Sequence, residues 1–179
     1  MNPWVVLEDR ILVDQHWMRL HEQKVQLANG TTISNFHLLE TPSWVAVVPL
    51  TEDGEVVMVR QYRHGLGRAS LELPAGVIDP GESPSIAAKR ELLEETGYCA
   101  DTLLPLVELS PEPHRSTHRA HFFVAPNVRF SGRSNPDPSE VLEVSLRTKA
   151  ELVNDALNGG IDHAAHVAAI LTAHARGLL

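Results

Sequence analysis

The segment from Ser83 to Gly97 constrains the chain most, because its start, its end and its two faces are all encoded locally. Ser83 suits an N-cap, Pro84 suits the first helical position, and Gly97 suits the residue past the last turn. The spacing predicts a helix over Ser83–Thr96. With Glu91 as zero and about 100° per residue, Glu94 falls at about 300° and Glu95 at about 40°, so the carboxylates share one narrow face. Ile86, Leu92 and Leu93 lie on the other side and are expected to form the buried stripe, with Ala87 and Ala88 leaving room above the acids. Like charges at this spacing cost about 0.2–0.5 kcal/mol per pair on an exposed helix, and the helix dipole adds to the cost near the C-terminus. A positive partner is therefore expected. Mg²⁺ answers the need, because it accepts carboxylate oxygens and keeps other positions open for phosphate. The ordinary alternative is a solvated acidic face.

Composition narrows what this helix can belong to. A chain of 179 residues is the size of one domain with a small appendage. Hydrophobic residues make up 43% and charged residues 21%, which argues against disorder and coiled coil. The net charge, 15 − 23 = −8, supplies no general attraction to nucleic acid or to an anionic membrane. Any phosphate must then be met by local cations. Cys99 is the only cysteine, which excludes a disulfide within the chain and fits a reducing cytoplasm. No basic leader precedes an apolar run, and no uncharged apolar stretch approaches bilayer length. The expectation is a soluble, cytoplasmic protein that binds neither nucleic acid nor membrane.

The first forty residues read as β structure, Trp4–Val13, Trp17–Leu27 and Thr31–Leu39, with Asn29-Gly30 as a hairpin signal. Thr41-Pro42-Ser43 marks a boundary, so residues 1–41 are expected to form an N-terminal antiparallel β subdomain and residues 42–179 the main domain. Strands are expected near Trp44–Leu50, Glu55–Tyr62, Leu103–Leu109, His118–Ala125 and Glu143–Leu146. Ser131–Ser139 reads as a loop, and helices should close the chain near Lys149–Asn158 and Ile161–Arg176. This order implies an α/β sandwich around a mixed sheet.

Five residues separate Gly76 from Glu82, seven more lead to Arg90, and the chain continues Glu91-Leu92-Leu93-Glu94-Glu95-Thr96-Gly97. This pattern resembles the Nudix box, with Tyr98 standing where an aliphatic residue is usual. The flanks Gln61-Tyr62-Arg63 and Glu72-Leu73-Pro74-Ala75-Gly76 are similar to the ADP-ribose pyrophosphatase and nucleoside diphosphate sugar hydrolase branch of that superfamily. The resemblance implies a Nudix-type α/β/α sandwich and a metal-dependent hydrolase that splits ADP-ribose into AMP and ribose 5-phosphate. ADP-glucose or GDP-mannose is the alternative substrate. Relatives acting on nucleotide sugars often carry an Asp-x-Lys pair where this chain has His163-Ala164-Ala165, which leans toward ADP-ribose. A non-catalytic ADP-ribose sensor is the reading from another class, and the presence of every box acid argues against it.

Position by position, the resemblance implies that Glu91, Glu94, Glu95 and the Ala75 carbonyl hold Mg²⁺ or Mn²⁺. Glu82, Arg90 and Gly76 take structural roles within the box. The general base is expected from the loop before the Glu143–Leu146 strand, with Glu140 the choice and Asp137 and Glu143 the runners-up; Glu94 assists catalysis. Arg63, Glu72 and Arg115 are expected to bind substrate. The resemblance also implies a homodimer in which the N-terminal strands pack on the second copy.

Other signals carry less. His114, His118 and His121 have a spacing that zinc sites can use, but no cysteine completes one and a period-two strand sends His118 and His121 to opposite faces. His163 and His166 read as polar-face or cleft-lining residues, Cys99 as packing, and Trp4, Trp17 and Trp44 as core or interface.

Overall fold

The computed structural model describes residues 2–132, 134 and 141–179. The chain divides into two compact units, Met1–Ser43 with Ser110–Arg119, and Trp44–Leu109 with Ala120–Leu179. The loop Ser110–Arg119 is the part of the first unit that the boundary signal at Pro42 does not reveal, because it returns to the first unit from far along the chain. It is held there by Leu39, whose N–H donates to Arg115 O at 2.7 Å, and by Thr117, whose N–H donates to Leu39 O at 3.1 Å.

The first unit is an antiparallel meander of β1 (Val5–Gln15), β2 (Met18–Gln26) and β3 (Thr32–Glu40), as the alternation predicts. Gly30 sits at φ 85°, and the Asn29 side chain accepts the Thr31 N–H at 3.0 Å, so the Asn-Gly pair does close the second hairpin. Cross-strand charge pairs join Arg10 to Glu22 and Lys24 to Glu8, and His21 stands between Asp9 and Glu40. Trp4, Val5, Val6, Leu7, Ile11 and Leu12 are exposed along β1 and its approach, and Trp17 at the following turn is 73% exposed.

The second unit is built on a mixed sheet with the path β11-β5-β4-β10-β8. Its strands are β4 (Trp44–Thr51), β5 (Val56–Arg63), β6 (Arg68–Glu72), β7 (Ala75–Val77), β8 (Tyr98–Cys99), β9 (Leu104–Leu109), β10 (Ala120–Phe130) and β11 (Leu142–Arg147). The β10–β4 pair is parallel, and the other pairings are antiparallel. The short strands β6, β7 and β8 escape a reading of alternation, since such short segments carry too few periods. β10 runs past its expected end because a bulge between Ala125 and Val128 absorbs Pro126 and Asn127, the latter at φ 54°.

Helices cover both faces of this sheet. β4 is buried on both sides, as its nearly continuous apolar run requires. Ala46, Val48 and Leu50 join a core with α2 (Lys149–Asn158) and α3 (Ala164–Ala175), whereas Val45 and Val47 join a separate core with α1 (Pro84–Thr96). The expected α/β/α sandwich around a mixed sheet is thus observed, with the antiparallel N-terminal sheet beside it in sequence. Among the described residues no helix is long and apolar enough to cross a membrane.

Candidate active site

α1 begins and ends where its caps dictate. The Ser83 hydroxyl accepts the Ile86 N–H at 3.3 Å, Pro84 opens the helix, and Gly97 at φ 74° donates its N–H to Leu93 O. Of the apolar stripe expected to be buried, Leu92 is, but the buried face is rotated away from Ile86 and Leu93. Ala87, Ala88, Glu91, Leu92, Glu95 and Thr96 are buried, whereas Ile86 is 60% exposed. The two alanines let α1 sit close on the sheet, and that turns Glu91 and Glu95 inward. Burying Ile86 and Leu93 instead would have pointed the carboxylates away from the strand that completes the site.

That strand is β7. Glu95, only 3% exposed, accepts the Ala75 N–H through Oε2 at 2.9 Å. Gly76 leaves room for its neighbour: a Cβ at this position would fall on the Glu91 carboxylate, which would have to move. The glycine that opens the sequence pattern therefore makes room for the first acid of the helix.

Arg90 organises the remaining acids. It donates to both Glu82 oxygens, Nε to Oε1 at 3.1 Å and Nη2 to Oε2 at 2.9 Å, and to Val77 O at 2.9 Å. Its Nη1 donates to Glu91 at 2.7 Å and to Glu94 at 3.1 Å. Glu82 above all, and then Glu91 and Glu94, raise the Arg90 pKa further, while Arg90 holds the Glu82 carboxyl below its usual range. The Glu82–Arg90 pair ties the loop after β7 to the helix. Among the described residues no three acidic, histidine or cysteine side chains close on one point, because Arg90 and the Ala75 N–H hold these oxygens. The donor set still suits a hard divalent cation, being carboxylate oxygens gathered beside a backbone segment.

Arg63 and Glu72 meet each other. Arg63 donates Nε to Oε1 at 2.9 Å and Nη2 to Oε2 at 2.6 Å, a bidentate pair in which Glu72 is 1% exposed. Burial alone would raise the Glu72 pKa, but the Arg63 hydrogen bonds and charge outweigh it and hold the carboxyl below its usual range. Arg63→Ala is expected to destabilise the fold by about 2 kcal/mol, less than for a fully dry pair because the guanidinium is partly solvated. The pH dependence gives the sign. The lowered carboxyl contributes stability at neutral pH that is lost on acidification, whereas in the variant burial raises the same pKa. Denaturant melts should show the gap between parent and variant wide at neutral pH and narrowing toward about pH 4. A gap constant with pH would mean that the pair is not electrostatically coupled.

The other expected residues fall elsewhere. Arg115 lies in the first unit and donates to Glu112 at 2.6 Å. Glu143 is exposed on β11 opposite Arg60. Glu140 and Asp137 lie outside the described residues. His118 shares its Nδ1 between Thr41 and Ser116, and His121 faces Glu108. Trp44 is packed edge-on against Phe122 at 5.5 Å.

His166 corrects the reading of a cleft-lining residue. It is 1% exposed, stacks on His163 at 4.2 Å and 17°, and accepts the Leu73 N–H through Nδ1 at 3.3 Å. The signal that reveals it is the spacing Ala165, His166, Ala169, Ile170, Ala173, which places the imidazole on the buried stripe of α3.

Comparison with known proteins shows the family of the chain. The NUDIX domain model matches residues 40–168. The chain is 35% identical over 138 residues to an ADP-ribose pyrophosphatase of Bacillus subtilis (strain 168), covering 75% of this chain and 74% of that protein. It is 34% identical over 158 residues to an ADP-ribose pyrophosphatase of Mycobacterium tuberculosis (strain ATCC 25618 / H37Rv), covering 87% and 76%. The crystal structure of an ADP compounds hydrolase superposes with a TM-score of 0.84 at 25% identity, over 97% of this chain and 94% of that one.

Proposed function

The chain belongs to the NUDIX domain family, and on that premise we propose that it hydrolyses the pyrophosphate bond of ADP-ribose, releasing AMP and ribose 5-phosphate. The observation that carries this reading is the burial of Glu91 and Glu95 against Ala75-Gly76, in a chain similar to ADP-ribose pyrophosphatases. A panel of dinucleotides and nucleotide sugars with chromatographic separation of products tests it. ADP-ribose is expected to exceed ADP-glucose and GDP-mannose in kcat/KM by about tenfold or more. Equal turnover of all three would move the assignment to a general nucleoside diphosphate sugar hydrolase.

Members of this family generally need divalent metal ions. We assign Mg²⁺, with Mn²⁺ as a substitute, to Glu91, Glu94, Glu95 and the Ala75 carbonyl. A cation bound there neutralises diphosphate oxygens and acidifies a water. The chain's own residues do the rest. Arg90 and Glu82 hold the loop after β7 in place, Gly76 leaves space for Glu91, and the Arg63–Glu72 pair presents a fixed guanidinium for a diphosphate oxygen. Arg115 is proposed to bind substrate as well.

Glu140 is proposed as the general base, assisted by Glu94. Glu140→Gln is expected to lower kcat about a hundredfold while Mn²⁺ binding is kept. A larger loss from Asp137→Asn or Glu143→Gln would move the base to that residue.

The partner we propose is a second copy of the chain, packed on the exposed apolar residues of the N-terminal sheet, in a cytoplasmic enzyme. Trp17 and the residues of β1 give this surface its apolar character. Light scattering is expected to show a dimer for the full chain and a shift toward monomer for Trp17→Asp with Ile11→Asp. A full chain that is monomeric across the concentration series overturns the dimer.

A further inference from the structure

The segment Glu72-Leu73-Pro74-Ala75-Gly76 meets the site at both ends. At one end Glu72 carries Arg63, and at the other Ala75 donates to Glu95 while Gly76 accommodates Glu91. Between these ends the backbone has two further anchors. Pro74 O accepts the Val47 N–H at 3.0 Å, and the Leu73 N–H donates to His166 Nδ1 at 3.3 Å. The second anchor comes from α3, whose core lies on the face of the sheet away from α1.

We infer that His166 is a positioning residue for the hydrolysis: by accepting the Leu73 N–H it sets the height of the Leu73–Ala75 backbone against Glu95, and so the place of the Ala75 carbonyl. The inference rests on the assignment of Ala75, Glu91 and Glu95 to the cation. Leu73 itself is fully buried, so without an acceptor its N–H would lie orphaned in the core, and the segment would shift to relieve that loss. The imidazole is well suited to accept. Burial first, and then the neighbouring His163 and Arg63, hold His166 neutral, which leaves the Nδ1 lone pair for Leu73 and the proton on Nε2. The ring is fixed from several sides, by the stacked His163, by Trp44 at 5.6 Å and by Phe122 at 6.1 Å. A side chain this constrained transmits its position to the backbone it holds. Packing alone would be served as well by an apolar residue of similar volume. The hydrogen bond to a backbone that ends at the site is what an apolar residue cannot replace.

The test uses the full chain with Mn²⁺ as probe, its binding followed by electron paramagnetic resonance, alongside steady-state kinetics with ADP-ribose and thermal melts. His166→Leu is expected to weaken Mn²⁺ binding and to lower kcat, each about tenfold, with KM changed less than about threefold. His166→Asn places its amide oxygen where Nδ1 stood and is expected to restore both to within about threefold of the parent. His166→Gln, whose amide lies near the Nε2 position, is expected to behave like the leucine variant. Should His166→Leu fail to fold, the asparagine and glutamine variants still decide. Equal Mn²⁺ affinity and kcat in those two overturn the inference, as does a leucine variant that melts lower yet keeps both. Glu95→Gln in the same titration separates the two levels of the reading. If it leaves Mn²⁺ affinity unchanged, the cation assignment fails. If it weakens binding while the His166 variants do not, only the role of His166 fails.

Discussion

Glu95→Gln is expected to lower kcat about a thousandfold while the protein stays folded, the loss of several kcal/mol that follows removal of one anionic ligand from a cation site. Glu95 is the acid most deeply set in the site, and its Oε2 accepts the Ala75 N–H. The glutamine oxygen can keep that bond, so the backbone of β7 need not move. Removing one charge also relieves repulsion with Glu91, one helical turn away, which offsets the loss of the carboxylate. Melting should therefore shift by no more than the equivalent of about 1 kcal/mol. Near-parent turnover at saturating substrate would show that Glu95 does not hold the cation.

Gly76→Ala is expected to damage both stability and activity. Its new methyl group would meet the Glu91 carboxylate, in a site where Glu91 is already held by Arg90. Overpacking of this kind costs about 1–3 kcal/mol. For a chain of this size, a loss of about 2 kcal/mol corresponds to a fall of about 4–8 °C in Tm. Displacing Glu91 by as little as about 1 Å is expected to cost about a hundredfold in kcat. Calorimetry and kinetics on the same preparation check both effects. A variant with an unchanged melt and unchanged kcat would mean that Glu91 does not occupy the space above Gly76 in the working enzyme.

The composition of the site was legible because its spacing is local. Ser83, Pro84 and Gly97 bracket one helix, and residues three and four apart on a helix must be neighbours, so Glu91, Glu94 and Glu95 could be grouped before any tertiary contact was known. The same holds for the N-terminal meander, where alternation and Asn29-Gly30 suffice. The orientation of the helix was not legible. Apolarity pointed to Ile86, Leu92 and Leu93 as the buried stripe, and of these only Leu92 is fully buried; the small volume of Ala87 and Ala88, which a hydrophobicity pattern weighs lightly, decided how closely the helix could approach the sheet.

Sequence alone thus determined the helix with its caps, the identity of its acids, the spacing from Gly76 through Glu82 to Arg90, and the mixture of strands and helices, all of which follow from local geometry and short-range periodicity. Only the tertiary structure decided that Gly76 clears space for Glu91, that Arg63 is joined to Glu72, that Ser110–Arg119 belongs with the first unit, and that His166 reaches Leu73 from the far layer. Those contacts join residues brought together by sheet order and close packing, and neither quantity is written in the spacing of any one segment.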